Sequence, residues 1–175
     1  MRSYKNSEPL PKKIPSNTKA SRKEITYALT QACMHYWVKK NRGVSLELGL
    51  NFWGKQRADV VALALNGHIC ICEVKSCSSD FQTDKKFELY LPYCNKLYIV
   101  VPPNAKWLKK HKPRLKELGI GIMTLSPATG YIKVVKNAKN RELDDEIKHN
   151  LMLRIAWRGS QYSKRNVKRR ERIFI

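Results

Sequence analysis

Apolar positions recur along this chain first with a helical period and then with a strand period. Ser21-x-x-Glu24 is a capping-box pattern, and Ile25, Ala28, Leu29, Ala32, Tyr36 and Trp37 follow at helical spacing to about residue 40, where Asn41 and Gly43 end the run. VSLELGL, 44–50, alternates and predicts an edge or second strand, with Glu47 on the face opposite Leu46, Leu48 and Leu50. The runs 57–65 and 68–75 are apolar on both faces, as central strands covered on each side are. A helix is predicted from about Asp80 to Leu91, stopped by Pro92, and then a buried strand over 96–102, parallel to its predecessor because a helix intervenes. Trp107 to Leu118 predicts a helix that Pro113 divides into two short pieces. A terminal strand pair, 119–125 and 131–138, precedes a last helix, Arg141 to Trp157, striped by Leu143, Ile147, Leu151 and Ile155. The order is αβββαβ with additions: an α/β fold with a mixed central sheet between helices.

With 175 residues, one domain with one sizeable core is expected, over 18–157. Residues 1–17, with Pro9, Pro11 and Pro15 among lysines, read as a flexible basic arm. Residues 158–175 read as a basic tail in which Lys164, Arg165, Lys168, Arg169 and Arg170 are candidates for gripping DNA. The net charge of +21, from 35 Lys and Arg against 14 Asp and Glu, attracts polyanions, and nucleic acid is the first candidate partner, through its phosphates. No stretch approaches the roughly 20 apolar residues of a membrane span, and the N-terminal residues lack the apolar core of a secretory signal, so a cytoplasmic protein is expected. Five cysteines, an odd number, argue against a disulfide scaffold.

Against this background three ionisable residues stand out. Asp59 begins one apolar run, and Glu73 and Lys75 end the next. Apolar strands rarely carry such groups unless they pair or bind something. Asn66-Gly67 marks a turn between the two runs. A strict two-residue turn pairs Leu65 with His68 and turns Asp59 to the other side of the sheet from Glu73. A three-residue loop, Leu65-Asn66-Gly67, pairs Ala64 with His68 and sets Asp59 opposite Glu73, with Gly67 in the left-handed position. A joint site demands the second register. There, Asp59 and Glu73 offer hard oxygen ligands for Mg²⁺ or Mn²⁺, the Val74 carbonyl adds a third, and Lys75 is placed to orient or deprotonate water or to neutralise phosphate charge. Zinc from His68, Cys70, Cys72 and Cys77 is disfavoured, because C-x-C lacks the usual knuckle spacing.

The D…ExK arrangement at the end of a hairpin resembles the PD-(D/E)XK nuclease superfamily. Within it, residues 58–102 resemble the MmcB-like DNA-repair nucleases in ADVVAL, in E-V-K-S, in S-x-D-F with D-K-K, in Y-x-x-x-C and in a closing strand that ends in Val-Pro. The resemblance implies a restriction-endonuclease-like αβββαβ core and catalytic roles for Asp59, Glu73 and Lys75. Ala58 stands where the superfamily's proline would be. By the same likeness, Lys86 and Tyr90 stand in for a Q-x-x-x-Y element that touches the scissile phosphate, and Glu24 for an acid on the first helix that reaches the metal. Glu47 is a candidate third acid, with solvated strand residue as the alternative; for Glu24 the alternative is a cap of its own helix. Trp53, beside Lys55 and Arg57, is placed either to stack on a base or to pack in the core. The expected function is that of a metal-dependent DNA nuclease, more an endonuclease than an exonuclease, in repair, recombination or phage DNA processing; a homodimer would permit paired cuts. A non-catalytic DNA-binding protein that keeps the fold is the alternative, and an RNA-processing nuclease is a third reading.

Overall fold

The structure, a computed structural model, describes residues 20–51, 56–83 and 86–171. Helix α1 (Arg22–Val38) opens on the capping box: Ser21 Oγ accepts from the Glu24 N–H and the Glu24 carboxylate accepts from the Ser21 N–H. The strands are β1 (Gly43–Gly49), β2 (Arg57–Leu63), β3 (Ile69–Val74), β4 (Lys96–Val101), β5 (Gly121–Leu125) and β6 (Ile132–Lys136). Among the described residues these form one sheet in sequence order. β1, β2 and β3 run antiparallel to their neighbours, β4 and β5 continue parallel to β3, and β6 returns antiparallel. This is the mixed, open sheet between helices that the sequence predicts.

Burial on both faces accounts for the continuous apolar character of β3, where every residue is buried. On one face Leu29, Cys33 and Trp37 of α1 pack over Val60, Cys72 and Val100. On the other, the crossover segments cover Val61, Ile71 and Ile99 with Phe81, Phe87, Leu108 and Leu115, and Leu151 of the last helix joins them. Cys33, Cys70, Cys72 and Cys94 are buried free thiols, and Cys72 Sγ accepts from the Trp37 indole at 3.2 Å. Gly121 is required by close approach, since a Cβ there would lie 2.4 Å from the Tyr98 ring.

Several elements differ from the sequence reading. The helix expected over 80–91 is a short α2 (Ser78–Thr83) followed by a 3-10 helix, Lys86–Tyr93, with Pro92 inside it. The helix expected over 107–118 is indeed two pieces, a 3-10 helix, Lys106–His111, and α3 (Lys112–Glu117), with Pro113 in the first turn of the second. The last helix, α4 (Asp145–Glu171), starts later and runs on through the expected tail. Its start is set by Asp144, whose Oδ1 accepts from the Glu146 and Ile147 amides, while the Arg141 N–H is held by the Asn95 carbonyl. Lysine and arginine are good helix formers, so the charge that suggested a solvated tail does not oppose a helix. The arm 1–17 lies outside the described residues.

Candidate active site

The β2–β3 hairpin adopts the three-residue loop. The Ala64 N–H donates to the His68 carbonyl at 3.0 Å, the Gly67 N–H donates to the Ala64 carbonyl at 2.9 Å, and Gly67 has φ +80°. Pairing of Val60 with Cys72 and Val61 with Ile71 continues to Asp59 opposite Glu73. Both therefore stand on the face of Val61 and Ile71. Asp59 Oδ2 accepts from the Val74 N–H at 2.7 Å, which ties the first acid to the end of β3. Lys75 is 2% exposed, and its Nζ lies 3.1 Å from Glu73 Oε1 in a buried ion pair. The Lys75 N–H donates to the Val100 carbonyl, so the chain stays extended past the strand end.

Burial is the first cause of the high Asp59 pKa, which is pushed up to about 6; the Val74 amide and the Lys75 ammonium oppose the rise, and the charges of Glu47 and Asp80 add to it. A carboxylate made costly by desolvation and by neighbouring acids is one that a cation would stabilise. Two carboxylates and a backbone carbonyl at a strand end suit Mg²⁺, which keeps water and phosphate in its other positions. Among the described residues no group of three His, Cys, Asp or Glu side chains converges as a metal cage.

The neighbouring residues fall into distinct places. Asp80 Oδ2 accepts from the amide and hydroxyl of Ser76, and its Oδ1 pairs with Arg22 of α1 at 2.7 Å, so α1 is joined to the end of β3. The Glu24 carboxylate serves its own helix cap, where the bonds from Ser21 hold its pKa below the usual range. Glu47 Oε2 pairs with Arg57 Nε at 2.7 Å at the rim. Its backbone has φ +53°, which breaks the alternation of β1: Leu46 packs on the α1 side and Leu48 on the other. The expectation that Leu46 and Leu48 share a face is corrected by this bend. Arg158 of α4 donates to the Glu47 carbonyl at 2.6 Å, a contact across 111 positions that no local pattern signals. Tyr90 is buried and its hydroxyl donates to the Arg57 carbonyl, so it supports β2 from beneath. In a helix of three residues per turn, positions four apart do not stack, so Lys86 and Tyr90 do not share the face expected of them. Trp53 and Lys55 lie outside the described residues, as do the side chains of Lys86, Lys164, Arg165, Lys168, Arg169 and Arg170.

A mixed sheet with an acid facing an E-x-K strand end defines the architecture of the PD-(D/E)XK nuclease superfamily. The chain belongs to the DNA repair protein MmcB-like family, whose model matches residues 14–165. No curated protein matches it. Among solved structures, it is similar to the SPO1766 protein of unknown function from Silicibacter pomeroyi, with 19% identity and a TM-score of 0.66 over 84% of this chain and 92% of that one. At that identity the likeness speaks for the fold. Among the described residues no helix is long and apolar enough to cross a membrane.

Proposed function

We propose that this protein is a divalent-metal-dependent deoxyribonuclease, with Asp59, Glu73 and Lys75 as its catalytic residues. The observation that carries this reading is the facing pair Asp59 and Glu73 with a buried lysine two positions on. Asp59, Glu73 and the Val74 carbonyl would hold Mg²⁺ or Mn²⁺, which when bound polarises a phosphate and acidifies water. Lys75 receives its orientation from Glu73 and its burial from the strand end, and it would position water or balance charge on the phosphate. Asp80 and Ser76 keep the turn after Lys75 in place. Glu47 would reach the same cluster only by leaving Arg57. DNA would bind through its phosphates to a chain of charge +21, in the cytoplasm.

The test is cleavage of plasmid, branched and single-stranded DNA with Mg²⁺ or Mn²⁺. Asp59→Ala and Lys75→Ala are expected to abolish cutting while DNA affinity stays within about twofold, because the cations that supply affinity lie elsewhere. Undiminished cutting by either variant refutes the assignment. The second reading, DNA binding without cleavage, is favoured by the charge, which needs no active centre to attract nucleic acid; binding without cutting by the native protein across all substrates and both metals would select it.

A further inference from the structure

The crossover between β4 and β5 is densely basic. Lys106, Lys109, Lys110, Lys112, Arg114 and Lys116 lie within 106–116, a run without acids, and all are exposed. Beside this run opens a cleft of about 460 Å³. Its walls are aromatic: the Phe81 ring lies 5.2 Å from Phe87 and 4.5 Å from His111, with Trp107 behind it at 5.6 Å. Leu115 lies buried at its lining, and Gln82, Glu88 and Arg114 add polar groups. His111 Nε2 is buried and has no hydrogen-bond partner among the described residues. Burial and the Lys110 charge lower the His111 pKa, which favours the neutral ring.

The two halves of this surface select for different parts of one ligand. Exposed lysines attract phosphates without regard to sequence. Flat rings bind the face of a base, and a mouth with amide, carboxylate, guanidinium and imidazole offers donors and acceptors for its edge. A lipid surface would use the lysines but not a narrow aromatic cleft. Paired bases keep their faces stacked within the duplex, so only an unpaired or extruded base reaches such walls. The cleft also adjoins the candidate active site along the chain: Phe81 directly follows Asp80, whose carboxylate holds Ser76 next to Lys75.

We infer that this cleft receives an unpaired nucleobase, with the flanking phosphates held by Lys109, Lys110, Lys112 and Lys116. The inference rests on the nuclease reading and deepens it, because it makes the substrate DNA with an unstacked nucleotide. The test measures equilibrium binding in EDTA, so it does not depend on cleavage. Three duplexes of equal length are compared: fully paired, with one bulged base, and with the bulged base replaced by an abasic residue. The native protein is expected to prefer the bulged duplex by about fivefold or more, in line with the energy of one stacked base, and to lose that preference on the abasic one. Gln82→Trp, which fills the cleft from an exposed position, removes the preference and leaves affinity for paired duplex unchanged. Lys109→Glu with Lys112→Glu weakens all three complexes and steepens none. Equal affinity for paired and bulged duplex, or a preference that survives both the abasic replacement and Gln82→Trp, overturns the inference. So does an acidic peptide that competes with bulged DNA at equal charge concentration, which would assign the patch to a protein partner. Asp59→Ala keeps the bulge preference if the cleft works as described, so a failed cleavage assay and a failed cleft are told apart.

Discussion

At the scale of single residues, the site holds charges at a cost to the fold. Asp59 releases its proton near 3.8 when exposed and near 6 in the folded chain. Between those values the folded state holds the extra proton, so stability falls as pH rises through the window and stays lower above it. Asp59→Asn has no such proton to lose. In EDTA, its urea midpoint relative to the native protein is expected to rise between about pH 4 and pH 6 and then level off; a constant difference from pH 4 to 7.5 would contradict this. The Glu73–Lys75 pair behaves differently. Glu73→Leu leaves an ammonium buried without its carboxylate and is expected to cost about 3–5 kcal/mol, whereas Glu73→Leu with Lys75→Met is expected to restore most of that loss, measured by denaturant unfolding. A double variant as unstable as the single one would mean that the ion pair is needed for folding itself. The three residues were legible in the sequence because charges at the ends of apolar runs need an explanation. Asp80 was visible as an acid at a helix start, but its hold on Ser76 and Arg22 depends on how α1 lies against β3.

At the scale of elements, the hairpin decides whether there is a site at all. A shift of one residue in the β2–β3 register would turn Asp59 to the α1 side of the sheet. Gly67, at φ +80°, fixes the loop length, and Gly67→Ala is expected to cost about 1 kcal/mol or more and to lower cleavage more than Gly130→Ala, whose glycine also has positive φ but lies on the β5–β6 turn away from the pair. Equal loss of cleavage in the two variants would deny the loop its special role. The strands were readable because buried parallel and central strands leave continuous apolar runs. The segment after Lys75 was not. Its apolar residues suggested one helix, whereas burial of Phe81, Phe87 and Tyr90 against the sheet is met by two short pieces, and propensity does not distinguish a 3-10 turn from an α turn. The bend at Glu47 was equally hidden, because an alternating pattern reads the same with or without a left-handed residue in its middle.

For the whole molecule, the long α4 changes how the basic end is to be regarded. Residues expected to form a separate tail continue a helix that packs Leu151 into the core. A chain ending at residue 157 loses Arg158 and the cluster from Lys164 to Arg170. Its DNA affinity is expected to fall, and its slope of log affinity against log salt to become shallower by close to one for each phosphate contact removed; an unchanged slope would place the DNA elsewhere. Net charge made the partner readable from composition, but composition does not say which surface carries it. The guanidinium of Arg158, seated on the Glu47 carbonyl, has one further implication, for synthesis. β1 and β2 leave the ribosome well before residue 158 is made, so a nascent chain holds its bent edge strand without that support. The acidic rim beside Asp59 is therefore among the last parts to mature, and a half-made protein carries the hairpin before it carries a finished centre.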